Sequence, residues 1–174
     1  MSKSKWYVIT GIPSSGKTTV LEHLGKAGYR TVPEAARVLI DEGVAQGITV
    51  AEIRSNEGDF QRRVTNLKLK TEAELPLDEV IFLDRAMPDS IAYYQLCGLD
   101  PEEARAVCYR DLYRKVFLMK PITFDGDYAR TESPDAIARL AGLLRDAYEQ
   151  LGYEIVVVPA VSVEDRVRFI LARM

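Results

Sequence analysis

The chain has 174 residues, 47% of them hydrophobic, which suits one compact domain with a full core and leaves no room for a second sizeable one. Its 23 basic and 26 acidic residues give a net charge of −3, which argues against nucleic acid or another long polyanion held by bulk electrostatics. No apolar stretch approaches the ~20 residues of a membrane span, and Cys97 and Cys108 have neither metal-ligand nor disulfide spacing.

In chain order, Trp6-Tyr7-Val8-Ile9-Thr10 is a short aromatic and β-branched run that reads as a buried strand. The next eight residues, Gly11-Ile12-Pro13-Ser14-Ser15-Gly16-Lys17-Thr18, fit the phosphate-binding loop (P-loop, Walker A) pattern Gly-x4-Gly-Lys-Ser/Thr. A helix follows, with Val20, Leu21 and Leu24 on one side. In this strand-loop-helix setting Gly11 and Gly16 let the backbone curl so that its N–H groups point at phosphates, and the helix adds its positive dipole end. Gly11, Pro13, Ser14, Ser15, Gly16, Lys17, Thr18 and Thr19 are therefore the expected nucleotide contacts. Lys17 would reach the β and γ phosphates, and Thr18 would bind Mg²⁺.

Gly28 stops the helix, and Tyr29 to Val32 reads as a second strand ending at Pro33. Helices are expected from about Glu34 to Ala45, from Val50 to Arg54 behind a Thr49 cap, and from Asp59 to Leu75. Arg62, Arg63, Lys68 and Lys70 are assigned to the outer face of the last of these. Val80 to Leu83 is a third strand that delivers Asp84 and Arg85 at its end. Helices from Pro88 to Cys97 and from Pro101 to Cys108 precede a fourth strand at Lys115 to Met119. Residues 121–134, rich in Gly, Asp, Thr and Ser around aromatic residues, read as a lid closing over a ligand, with Asp125, Asp127 and Arg130 in it. A helix from Pro134 to Gln150, a fifth strand at Glu154 to Val158 and a C-terminal helix capped by Ser162 complete the chain. The alternation of strands and helices predicts an α/β fold with a parallel sheet covered on both faces.

Ligands of open parallel sheets collect at the carboxyl ends of the strands, so the polar residues just beyond each strand are the candidates. Asp84 follows four apolar residues, as a carboxylate that holds Mg²⁺ directly or through water would. Glu34 bears on substrate class, because a kinase acting on a hydroxyl benefits from a carboxylate to take the proton. Otherwise Glu34 is an acidic residue favoured by the helix dipole. Arg85 is placed to steady Glu34 or the acceptor. Arg130 is placed to meet the charge that spreads over the transferred phosphoryl group, with Arg105, Arg110 and Arg114 as alternatives for that role. His23, without a partner at catalytic spacing, reads as an ordinary surface residue.

Together, the loop from Gly11 to Thr18, Pro33-Glu34, Phe60-Gln61, Asp84-Arg85 and the run Asp125 to Glu132 resemble the small P-loop kinases. The likeness is in particular to the AAA-like family that includes the ribosylnicotinamide kinase domain, with further likeness to deoxynucleoside kinases. The resemblance implies a three-layer α/β/α fold with a five-stranded parallel sheet, in which the strand bearing Asp84 lies next to the strand bearing the phosphate loop. It implies Glu34 as base and Gln61 as the residue that reads a nucleobase. The acidic-Arg pair is followed here by Ala86, where the deoxynucleoside kinases normally carry serine. The expectation is a cytoplasmic kinase domain spanning residues 1–174 that uses ATP and Mg²⁺ to phosphorylate a hydroxyl of a small, nucleoside-like acceptor. A triphosphatase and a nucleotide-dependent binding module are the alternatives, and an oligomer formed through the long helices is compatible with the sequence.

Overall fold

The structure is a computed structural model that describes residues 3–121 and 133–174. The expected lid therefore lies outside the described residues for all but its ends, and Asp125, Asp127 and Arg130 lie outside with it. Five strands, β1 (Trp6–Thr10), β2 (Arg30–Val32), β3 (Ile81–Asp84), β4 (Lys115–Met119) and β5 (Ile155–Val158), form one sheet. Its order is β2-β3-β1-β4-β5 and every pairing is parallel. The register sets Ile9 beside Asp84, so the phosphate-loop strand and the Asp84 strand are neighbours, as the family resemblance implies.

Eight helices are present among the described residues: α1 (Lys17–Lys26), α2 (Ala35–Ala45), α3 (Val50–Ile53), α4 (Glu57–Glu74), α5 (Met87–Cys97), α6 (Pro101–Arg105), α7 (Pro134–Glu149) and α8 (Val163–Leu171). Their starts follow from capping. Thr49 and Glu52 form a reciprocal capping box on α3, and the Ser162 hydroxyl accepts from the Asp165 N–H at the start of α8. α4 begins two residues earlier than the apolar pattern predicts, because the Asn56 side chain accepts from the Asp59 N–H. α6 stops at Arg105, short of the expected Cys108, since its last turn tightens to i→i−3 bonds from Val107 and Cys108.

Alternation along the strands sorts side chains to two cores. Trp6, Val8, Ile81, Leu83 and Val116 face one cluster, with α5 and α7. Tyr7, Ile9, Phe82 and Phe117 face the other, against α1 and α8. Helices on both faces make the three-layer α/β/α arrangement that the sequence predicts. A third, smaller cluster joins Ala35 and Ile40 of α2 to Phe60 and Val64 of α4, which turns these two helices into a wall beside the carboxyl ends of β1 and β3.

Candidate active site

The phosphate loop folds because its backbone goes where few residues can follow. Gly11 has φ 146°, and a Cβ there would sit 3.0 Å from both the Met119 carbonyl oxygen and Ser15 Oγ. Gly16, in the left-handed region with φ 84°, is the N-cap of α1. Lys17 then folds its side chain back over the loop, donating from Nζ to the Ile12 carbonyl at 2.9 Å and to Ser15 Oγ at 3.3 Å. Burial, and next to it the Arg85 charge, lowers the Lys17 pKa to about 8. A bound phosphate would favour the charged ammonium and so oppose this shift.

Pro13, Ser14, Ser15, Gly16, Lys17, Thr18 and Thr19 line one wall of a cavity of about 250 Å³. Glu34, Arg37, Arg54, Phe60, Gln61, Lys68, Arg85 and Tyr93 are among the other residues that line it. An adjoining cleft of about 570 Å³ shares Thr18, Glu34 and Arg37 with it and adds Asp84. The structure thus brings together Thr18, Glu34 and Asp84, and, in the first cavity, Lys17, Glu34, Gln61 and Arg85. Arg105, Arg110 and Arg114 line neither.

Glu34 is the N-cap of α2 but makes no side-chain cap bond. Its carboxylate instead accepts from Arg85 Nε at 3.0 Å. Burial works against its charge, but Arg85, Lys17 and Lys68 outweigh that and hold the carboxyl below its ordinary range. Arg85 reaches Glu34 from an unusual backbone: its φ of 65° lies in the left-handed region, at a cost of about 1–2 kcal/mol for a residue with a Cβ. Four contacts hold it there, namely a backbone bond to the Ile9 carbonyl, the Glu34 pair, Asp89 Oδ1 at 3.3 Å and the Tyr93 ring at 5.2 Å.

Asp89, which sequence reasoning passed over, is the hub beneath this pair. It is fully buried and takes hydrogen bonds from the Thr10 hydroxyl, the Tyr148 hydroxyl, the Ala86 N–H and Arg85. Burial alone would raise its pKa, yet Lys68, Arg85 and these hydroxyls lower it. Lys68 corrects the sequence reading. It lies on the buried stripe of α4 with Phe60, Gln61, Val64 and Thr65, and its ammonium donates to the Ala86 carbonyl at 3.0 Å and Ser90 Oγ at 3.1 Å. Arg62, Arg63 and Lys70 are exposed as expected. The spacing Gln61, Val64, Lys68 could have revealed the exception, since the three share one helical face.

Asp84 ends β3, 5% exposed, with Oδ1 the buried side-chain oxygen that has no hydrogen-bond partner among the described residues. Burial first, and then Glu34, pushes its pKa up to about 7. An orphaned carboxylate oxygen in the same cleft as the Thr18 hydroxyl fits a hard divalent cation that keeps most of its ligands as water and phosphate. Among the described residues no group of three or more His, Cys, Asp or Glu side chains forms a protein-only metal cage.

Elsewhere on the cavity lining, Gln61 donates its amide to Glu57 at 2.8 Å. Arg54 grips the same carboxylate through Nε at 3.1 Å and Nη2 at 2.7 Å, and lies over the Phe60 ring at 5.1 Å. Cys97 and Cys108 are half-buried free thiols away from this cavity, and burial raises the pKa of both, that of Cys108 to about 12. His23 Nδ1 lies 2.9 Å from the Thr19 carbonyl on the half-exposed side of α1.

Residues 6–166 match the family described as AAA domain. The chain belongs to that family. No curated protein sequence matches it significantly. Among solved structures, deoxyadenosine kinase from M. mycoides, with products dCMP and a flexible dCDP bound, superposes with TM-score 0.66 at 15% identity, covering 97% of each chain. NadR in complex with NR gives TM-score 0.70 at 18% identity. NadR with NAD and AMP-PNP gives 0.72 at 17%. In both cases the match covers 97% of this chain and 49% of NadR. At such identities the likeness is one of fold: this AAA-domain protein has the five-stranded parallel scaffold of P-loop kinases. Among the described residues no helix is long and apolar enough to cross a membrane.

Proposed function

We propose that this chain is one cytoplasmic kinase domain that transfers the γ-phosphoryl group of ATP to a hydroxyl of a small, nucleoside-like acceptor. The observation that carries this reading is the Glu34 carboxylate, held by Arg85 at 3.0 Å on the wall of the cavity that the phosphate loop lines. A kinase whose nucleophile is already an anion needs no such base; a hydroxyl does.

In this reading the loop N–H groups and Lys17 hold the triphosphate, and Glu34, kept ionised by Arg85, takes the hydroxyl proton as the oxygen approaches phosphorus. Thr18 and Asp84 would hold Mg²⁺, which when bound neutralises phosphate charge. The acceptor lies against Phe60 and Tyr93, with Gln61 committed through its amide to Glu57 and its carbonyl oxygen left to accept from the acceptor. Arg130, which lies outside the described residues, is the candidate to meet the charge on the transferred group.

The test is transfer of labelled γ-phosphate from ATP to a panel of nucleosides, nucleotides and small alcohols, with Glu34→Gln alongside. The expected outcome is transfer to a hydroxyl in at least one class, lowered about 10²–10⁴-fold in Glu34→Gln with ATP binding retained. Phosphate release without transfer to any acceptor would replace this reading with a triphosphatase, and full turnover by Glu34→Gln would remove Glu34 from the chemistry.

A further inference from the structure

Among the described residues, one buried cation lies outside the cavity just described. Arg166, on α8, is 0% exposed, and its guanidinium donates to three backbone oxygens: Nε to the Pro159 carbonyl at 2.9 Å, Nη1 to the Ser15 carbonyl at 2.6 Å and Nη2 to the Lys120 carbonyl at 2.6 Å. No carboxylate forms an ion pair with it among the described residues; the acidic residue beside it, Asp165, is taken by Arg168 and Ser162. Burial accordingly lowers its pKa with no acidic neighbour opposing the shift. An arginine stays charged under such conditions, and an unneutralised buried charge is costly unless something else in the working protein balances it.

The contact with Ser15 says what that is. In a trans peptide the C=O and the following N–H point in opposite directions. A guanidinium that draws the Ser15 carbonyl outward toward α8 turns the Gly16 N–H the other way, and Ser15 and Gly16 both line the phosphate-loop wall of the cavity. The same bond polarises that peptide, which strengthens its N–H as an anion donor.

We propose that Arg166 is a positioning residue for the triphosphate: it acts through the Ser15–Gly16 peptide and supplies, from behind the loop, a fixed positive charge that the bound phosphates balance. The inference rests on the reading of residues 11–18 as a phosphate site. It adds the C-terminal helix, 151 residues away in sequence, as part of that site.

The experiment is calorimetric titration of the intact chain with ATP and with inorganic triphosphate, comparing wild type, Arg166→Lys and Arg166→Met, with melting temperatures in parallel. Arg166→Met should weaken both ligands about tenfold, equivalent to about 1.4 kcal/mol. Arg166→Lys keeps the charge and loses part of the carbonyl fork, so its melting temperature should fall while its affinity for both ligands stays within about threefold of wild type. Equal affinity in wild type and Arg166→Met, or equal losses in the Lys and Met variants, would reduce Arg166 to a structural brace and overturn the proposal. Recovery of Arg166→Met only as an unfolded chain would overturn it likewise, by making the brace a requirement of the fold. A wild-type chain that takes up neither ligand would overturn the phosphate-site reading and this inference with it.

Discussion

The two faces of the sheet are packed by different chemistry. Against α1 and α8, Tyr7 stacks on Phe82 at 5.3 Å and on Phe117 at 6.3 Å, Tyr29 meets the Phe82 edge at 5.4 Å, and aliphatic residues fill the rest. Against α5 and α7, the apolar layer encloses a chain of polar groups: Thr10, Asp89, Tyr148 and Arg85, then Lys68 and Ser90, then Glu72 and Tyr113. The first face stabilises by burial, which tolerates some change of shape. The second depends on every member keeping its partner, because a buried polar group without one is costly. Its members end at Glu34 and at the phosphate-loop strand, so orientation of the candidate site is tied to that face.

The strongest way to break this contrast is Asp89→Ala. It would orphan the Thr10 and Tyr148 hydroxyls, the Ala86 N–H and one arm of Arg85 together. The expected loss in denaturant-measured stability is about 3–5 kcal/mol, the cost of removing one partner of a buried ion pair. Phosphoryl transfer should fall as well, since Arg85 would no longer be fixed against Glu34. A loss below about 1 kcal/mol would mean that the network contributes no more than an ordinary surface site.

That hub was not legible in the sequence, and the reason is distance along the chain. The phosphate loop could be read because its eight residues carry the whole backbone requirement locally. Asp84, Arg85 and Glu34 could be nominated because each follows a strand end, where topology gathers ligands. Asp89 looks like a first-turn acidic residue of α5, which it also is, but its decisive partners are Thr10, 79 residues earlier, and Tyr148, 59 residues later. Arg166 likewise reads as one charge in an amphipathic helix until its carbonyl partners come into view. Lys68 was misassigned to solvent because charge type outweighed helical position, although the position marked it as buried. The one adjacency foreseen, β3 beside β1, came through family resemblance, since periodicity alone does not say which strands are neighbours.

A second test uses pH. The Glu72 carboxyl accepts from the Tyr113 hydroxyl at 2.8 Å and the Met87 N–H at 3.1 Å, and burial pushes its pKa from 4.5 up to about 7. Between those values the folded chain holds a proton that the unfolded chain has released, so stability falls as pH rises through this window and levels off above it. The contribution is no more than about 3 kcal/mol. Asp84 is raised in the same direction, so the informative quantity is the difference between wild type and Glu72→Gln. That difference should shift against wild type from pH 5 to pH 8. A flat difference would remove Glu72 from the set of costly buried groups.

Tyr148→Phe is gentler, because it removes one donor to Asp89 and leaves the ring's packing intact. Asp89 keeps three donors, so the expected loss is about 1–2 kcal/mol. A loss as large as that of Asp89→Ala would show that the network fails as a unit rather than bond by bond.

The smallest effect belongs to the other face. Phe82→Leu would remove the ring contacts with Tyr7 and Tyr29 in the middle of β3, while an aliphatic side chain of similar reach keeps most of the burial. The expected cost is about 1–1.5 kcal/mol, with transfer rate and nucleotide affinity unchanged. The reason is geometric: the contacts that Phe82 loses are with the rings of Tyr7 and Tyr29, and among the described residues no hydrogen bond leads from those side chains to Glu34 or Arg85. If Phe82→Leu altered the KM for ATP as much as Asp89→Ala did, the site would be responding to sheet shape as a whole. The division between a tolerant face and an orienting face would then have to be given up.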